Sequence, residues 1–183
     1  MTTTTSAPLI ETGTWTLDKA HTKVGFTAKH LMITKVRGHF DDFEGTVEIA
    51  DDLSVSAIEV TLGAASITTG TADRDGHLRS PDFLDVDNYP EVSFVSRKSE
   101  FDGAVWKVEG DLTIRDVTRP ITLAAVYEGT AADPWGNDHI AFSASANLSR
   151  EDWGLTWNVA LEGGGWLVSQ DVAIEIEGQL IRP

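Results

Sequence analysis

Apolar and polar residues alternate with period two along most of the chain, the spacing that sends successive side chains to opposite faces of a β-strand. In VWKVEGDLTIRD, Trp106, Val108, Gly110, Leu112 and Ile114 share one face, and Lys107, Glu109, Asp111, Thr113 and Arg115 share the other. DHIAFSASANLSRED sets Ile140, Phe142, Ala144, Ala146 and Leu148 against Ser143, Ser145, Asn147 and Ser149. DVAIEIEGQLI sets Val172, Ile174, Ile176 and Leu180 against Asp171, Glu175, Glu177 and Gln179. Comparable strands are predicted over 14–18, 22–30, 36–50, 55–67, 91–98 and 120–129, each bounded by Gly, Pro, Asp or Asn. There is no βαβ rhythm and no internal repeat of fixed period. Eight or nine strands, each apolar on one face only, must curl into a barrel or stack as a sandwich to hide that face. Strand length favours the barrel. About ten residues span roughly 33 Å, and long antiparallel strands in up-and-down order close their own edges.

One stretch leaves the pattern, TGTADRDGHLRSPDFLD from Thr69 to Asp85. Asp73 and Asp75 after Thr71 predict a helical first turn, and Ser80 followed by Pro81 predicts the start of a second short helix. Asn88 to Pro90 then turns the chain back into a strand. The expected inner face mixes small residues (Ala28, Gly110, Ala125, Ala144, Ala146, Gly178) with Phe26, Trp106, Leu123 and Phe142. Such a mixture either leaves a ligand cavity or fills a tapering interior, and spacing alone keeps both readings open. By parity the lumen lining is predicted to include Phe26, Phe40, Phe43, Phe94, Trp106, Leu112, Leu123, Phe142, Ala144, Val172 and Ile174. A one-residue bulge near FDDFEG would flip Phe40 relative to Phe43.

Composition narrows the partners. A chain of 183 residues predicts one domain, here over 14–183 behind a flexible tail over 1–13. With 14 Lys plus Arg against 29 Asp plus Glu, the formal charge of −15 repels nucleic-acid phosphates and anionic membrane surfaces, so no nucleic acid partner is expected. The absence of Cys excludes a disulfide framework, thiolate metal sites and a Cys nucleophile. MTTTTSAPLIET has neither a positive n-region nor a long apolar run, and nowhere do about eighteen apolar residues run together, so a cytoplasmic protein without stable membrane insertion is expected.

Candidate chemistry is sparse. The five histidines form no His-x-His or HExxH, so no metal and no cofactor are expected. His39 beside Asp41 and Asp42, in GHFDD, reads as polar surface. Ser80 near His77 and Asp82 reads as capping, since no G-x-S-x-G elbow is present. Asp73, Arg74, Asp75, His77 and Arg79 read as a solvated or ion-paired helix face, and no catalytic residue is assigned.

Five blocks in order along the chain, WTLDKAHTKVGFTAKHLMITKVRGHF, SITTG, RDGHLRSPDFLDVDNYPEVSF, VEGDLTIRDVTRPITL and SREDWGLTWN, resemble the signature blocks of the YceI-like family of polyisoprenoid-binding, lipocalin-like proteins, over about residues 14 to 181. The resemblance implies an all-β fold, an extended antiparallel eight-stranded lipocalin-like barrel with short helices capping one end. It further implies an apolar lumen able to hold an isoprenoid lipid, commonly in a homodimer, and no established catalytic residues. One departure is Asp116 after TIR, where the family pattern usually has Gly in a turn; Asp tolerates positive φ, so the hairpin is expected to form. Helix packing through Leu78 and Phe83, with ion pairing in RDGHL, is expected to hold the cap. The expected function is binding, storage or transport of a long-chain isoprenoid of polyprenyl or quinone type. The competing readings are an enzyme acting on an amphiphilic substrate in the same pocket and an interaction protein with a filled barrel.

Overall fold

The structure, a computed structural model, describes residues 10–51 and 56–182. Most of the expected N-terminal tail, residues 1–9, lies outside the described residues. Eleven strands follow in chain order: β1 (Gly13–Leu17), β2 (Lys23–His30), β3 (Thr34–Phe40), β4 (Phe43–Ile49), β5 (Ser56–Gly63), β6 (Ile67–Thr68), β7 (Glu91–Phe101), β8 (Trp106–Ile114), β9 (Val117–Ala132), β10 (Asp138–Ser149) and β11 (Asp171–Arg182). The one α-helix among the described residues, α1 (Ala72–Arg79), falls between β6 and β7.

The pairings reduce the eleven strands to a closed antiparallel barrel of eight staves. β1 and β2 both pair with β11, at Thr16↔Ile181 and at Val24↔Ile176, so they form one stave interrupted at residues 18–22. β3 and β4 likewise make one stave broken at Asp41–Asp42, and β5 and β6 make one broken by a 3-10 turn over Ala64–Ser66. The β1–β11 pairing closes the ring, leaving no edge to template another chain there. Each interruption resets the parity of the inner face. Phe40 and Phe43, an odd number of residues apart, both occupy inward registers, opposite Ile67 and Leu62 respectively.

The seam between β6 and β7 has no ladder, and there Ala64 N–H donates to the carbonyl of Pro90 at 2.8 Å. The segment carrying α1 covers this end. Its acidic first turn and its His77 and Arg79 in the last turn both match the helix dipole. The helix is fastened less by the expected ion pairing than by hydrogen bonds to the barrel. The Asp75 carboxylate accepts from the Thr69 amide (2.7 Å), the Thr69 hydroxyl (2.6 Å) and the Thr68 hydroxyl (3.1 Å), while Arg79 donates to the carbonyls of Ala65 and Ile67, each at 2.8 Å. His77–Asp82 is the ion-pair contact of this stretch, at 2.9 Å. No second helix starts at Ser80. Ser80 is the C-cap of α1, and the chain continues in turns to Asp85, whose amide bonds the Ser80 carbonyl and whose φ of 48° stops helical propagation.

Packing corrects one further expectation and narrows one reading that spacing leaves open. Positive φ in the β8–β9 hairpin falls on Arg115 (58°), one residue before Asp116, because Ile114 pairs directly with Val117 and the turn holds only two residues. The glycines do not hollow the interior. A Cβ at Gly110 would lie 2.6 Å from both Cε2 of Phe94 and the carbonyl of Val95, and a Cβ at Gly178 would meet the Thr22 hydroxyl at 2.6 Å. Each absent side chain is replaced by a neighbour packed over the backbone.

Candidate functional site

All eight staves send apolar side chains into one cavity of about 220 Å³ inside the barrel. Leu17 and Val24 come from the first stave, Val47 and Ile49 from the second, Ile58, Val60 and Leu62 from the third. The wall continues with Phe94, Trp106, Leu112, Leu123 and Phe142, and β11 completes it with Ile174, Ile176 and Leu180. Polar side chains on the wall are Ser93, Ser99 and Tyr127; among the described residues no Asp, Glu, Lys, Arg or His lines it. From Trp106 to Leu112 the wall runs six residues along one strand, about 20 Å of path, or about 15 Å along the axis at a typical strand tilt.

The two ends differ. Toward α1 the lumen is plugged by Ala64, Ile67, Leu84, Trp153 and Leu155, with the rings of Phe26 and Phe40 6.1 Å apart and packed against them. The Trp153 indole N–H donates to the Leu112 carbonyl at 2.9 Å, which locks this plug to the wall. At the other end Trp15, Ile49, Ile140 and Leu180 form a separate cluster, joined by Ile10, Val47 and Phe142. Trp15 is 1% exposed, its indole N–H donating to the Glu11 carbonyl and its face covered by the Arg182 guanidinium. Outside this end Asp133 is held well below its ordinary pKa by hydrogen bonds from Asn137 side chain and amide, and from His139 and the Trp135 amide, with burial opposing them.

Of the residues expected on the lining, Phe94, Trp106, Leu112, Leu123, Phe142, Ala144 and Ile174 face the cavity. Phe26 and Phe40 do not. They point inward but lie in the plug, because β2 and β3 run on past the end of the cavity toward α1. Phe43 is 4% exposed and Val172 half-buried, and neither reaches the cavity; Val172 pairs with Leu148 at the α1 end of β10. The aliphatic side of the wall, Val47, Ile49, Ile58, Val60 and Leu62, lies outside the expected lining, although its residues carry period-two spacing in the sequence.

The cap holds His77, Phe83 and Trp157 ring against ring, with centroids 4.5 to 5.5 Å apart. Ser80 Oγ donates to the backbone carbonyl of His77 (2.7 Å) while the His77 ring meets Asp82, so the three do not form a nucleophile–base–acid relay. Beside them Arg150, 4% exposed, donates to the carbonyls of Ser169 and Leu155 and lies over the Phe83 ring; burial lowers its pKa from the usual guanidinium value. His39 contacts Asp41 at 3.0 Å, and among the described residues no three acidic or histidine side chains gather as a metal site. No helix among the described residues is long and apolar enough to cross a membrane.

These features define a class: a closed antiparallel barrel with an apolar lumen, plugged at one end under a short helix. The YceI-like domain family matches residues 15–180, and the chain belongs to that family. It is 34% identical over 167 residues to a UPF0312 protein of Staphylococcus aureus (strain MSSA476), covering 90% of this chain and 95% of that one. The crystal structure of a Campylobacter jejuni YCEI protein superposes with a TM-score of 0.72 at 33% identity, over 91% of this chain and 96% of the other. A polyisoprenoid binding domain from Saccharophagus degradans, implicated in plant cell wall breakdown, shares the fold at 12% identity, with a TM-score of 0.67 over 94% of this chain and all of that one.

Proposed function

We propose that this chain binds a long-chain isoprenoid lipid, of polyprenyl or quinone type, inside the barrel and stores or carries it. The carrying observation is the wall itself: apolar side chains from all eight staves, continuous over about 15 Å, with no Asp, Glu, Lys, Arg or His among the described residues that line it. A prenyl chain in water costs about 25 cal/mol for each Å² of exposed apolar surface, so such a lumen holds it with no directed hydrogen bond. The Saccharophagus degradans domain of the same fold, described as polyisoprenoid-binding, points the same way. A filled barrel acting only through protein contacts is disfavoured by the open volume of about 220 Å³. An enzyme is disfavoured by a wall whose polar side chains are two serines and a tyrosine, with no general base beside them. Solvent extraction of freshly purified protein followed by mass spectrometry is expected to release an isoprenoid lipid. Protein that yields none, and that also fails to take up a long prenyl quinone on titration, would sink the proposal.

A further inference from the structure

The β2–β3 hairpin projects past the plugged end of the barrel, and its tip is apolar, strained and basic at once. Of seven large apolar side chains exposed among the described residues, five gather here: Leu31 (39%), Met32 (46%) and Ile33 (79%) at the tip, Val159 (46%) and Trp166 (50%) on the adjoining loop. The two segments form one surface. Leu31 N–H donates to the Leu167 carbonyl at 2.8 Å, His30 bridges to Val168, and Ala160 bridges to Trp166.

The turn is built against backbone preference. Leu31 and Met32 sit at φ of 53° and 62°, a left-handed conformation in which Asn and Gly are favoured and branched or bulky side chains are strained. A hairpin that only needed to turn would be more stable with Asn-Gly. Strain retained in an exposed apolar tip points to a use for its side chains.

Charge identifies what the tip meets. Residues 19–40 contain no Asp or Glu in a chain with 29, and they carry Lys19, Lys23, Lys29, Lys35 and Arg37. Lys29 and Lys35 are exposed and directly opposite each other across the two strands, a like-charge pair that is destabilising unless something anionic lies over it. Arg37 shares their face, and none of the three is ion-paired among the described residues. The nearby acids are Asp171, Glu175 and Glu177 on β11, where Glu175 accepts from Thr27, and Glu162 on the adjoining loop. The formal charge of −15 is thus unevenly spread, with the basic arm as the pole that turns toward a negative surface.

We propose that this tip docks on the surface of an anionic lipid bilayer, with Leu31, Met32, Ile33 and Trp166 entering the headgroup region and Lys29, Lys35 and Arg37 meeting the phosphates. Apolar insertion together with a local cluster of cations is the combination that holds peripheral proteins on anionic membranes. The docking does not depend on what the lumen holds, so it is tested with lipids that contain no isoprenoid.

The experiment is flotation of the full chain with vesicles of phosphatidylcholine alone and of equal parts phosphatidylcholine and phosphatidylglycerol. The protein is expected to float with the anionic vesicles, less so as salt is raised. The double variant Leu31→Asn, Met32→Gly relieves the turn, so it should melt at or above the wild-type temperature while losing about tenfold or more in vesicle affinity. Lys29→Gln with Lys35→Gln should lose about thirtyfold, at about 1 kcal/mol for each cation at the surface. Failure of the wild type to float, or unchanged flotation of a folded Asn-Gly variant, would overturn the proposal. So would a wild-type dimer in solution that the Asn-Gly variant abolishes while flotation is absent, since the tip would then be covered by a second copy.

Discussion

At the scale of single residues, the lumen is sensitive to charge and the wall to added volume. Ala144 is 8% exposed, lies mid-strand on β10 and faces the cavity. Ala144→Asp places a carboxylate where no cation lines the wall, so it must protonate or draw water inward, at a cost of several kcal/mol. Titration with a long prenyl quinone, followed by tryptophan fluorescence from Trp106 on the wall, should show binding abolished in the folded variant; normal binding would remove the apolar lumen as the site. At Gly110 the expected outcome concerns stability. Gly110→Ala drives a methyl into Phe94 and the Val95 carbonyl, and should lower stability by about 1–3 kcal/mol in denaturant melts, an effect absent if the ring has free space to retreat. Alternation made the inner face of β8, β10 and β11 readable residue by residue, because these staves run unbroken. It did not reveal that Gly110 makes room for the Phe94 ring and Gly178 for the Thr22 side chain, since that depends on which neighbouring side chain lies over each glycine, and no periodicity in one strand encodes its neighbour's rotamer.

At the scale of elements, α1 depends on one carboxylate. Burial raises the pKa of Asp75, but hydrogen bonds from the Thr69 hydroxyl and amide and from Thr68, with the charge of Arg79, outweigh it and hold the group below its ordinary range. A folded-state pKa below the unfolded one contributes stability that is fully present above the unfolded value, about 3.9, and is lost as pH falls through the folded value. Asp75→Asn should therefore cost about 1–3 kcal/mol at neutral pH, with the gap to wild type narrowing as the solution is acidified into that range. Thermal melts across pH decide this, and a gap independent of pH would show that the charge does not matter. The helix itself was legible from its acidic first turn. What fastens it was not, since Thr68 and Thr69 belong to β6 and the turn after it, and their approach to Asp75 exists only once the third stave has been bent by Ala64–Ser66. The same bends explain the strand boundaries: 36–50 reads as one strand with a bulge to be expected near FDDFEG, and the ladder places the break at Asp41 and Asp42, with both Phe40 and Phe43 inward.

At the scale of the whole molecule, the decisive fact is that a through-going barrel is stopped partway. Alternation predicts eight or nine strands and the family resemblance implies eight staves, but neither reveals the plug, because Trp153, Leu155, Leu84 and Ile67 come from distant parts of the chain and meet Phe26 and Phe40 only after closure. A stopped lumen makes a specific prediction about chain length. Each added isoprene unit buries further apolar surface while wall remains, so affinity for a series of prenyl quinones should climb by about tenfold or more per unit and then level once the path of about 15 Å is occupied. Ligand that binds only the folded state raises the melting temperature in step, so the same series can be followed by thermal shift. Phe26 packs in the plug behind the wall, its ring lying over the bare backbone of Gly38, where no side chain competes for the space. Phe26→Leu shortens that ring to an aliphatic group and should move the plateau toward longer chains, with short-chain affinity little changed. If a folded Phe26→Leu keeps the wild-type plateau, the ligand does not reach the plug, and the length limit lies instead at the Trp15 end, where Leu17 and Ile10 would be the residues to truncate.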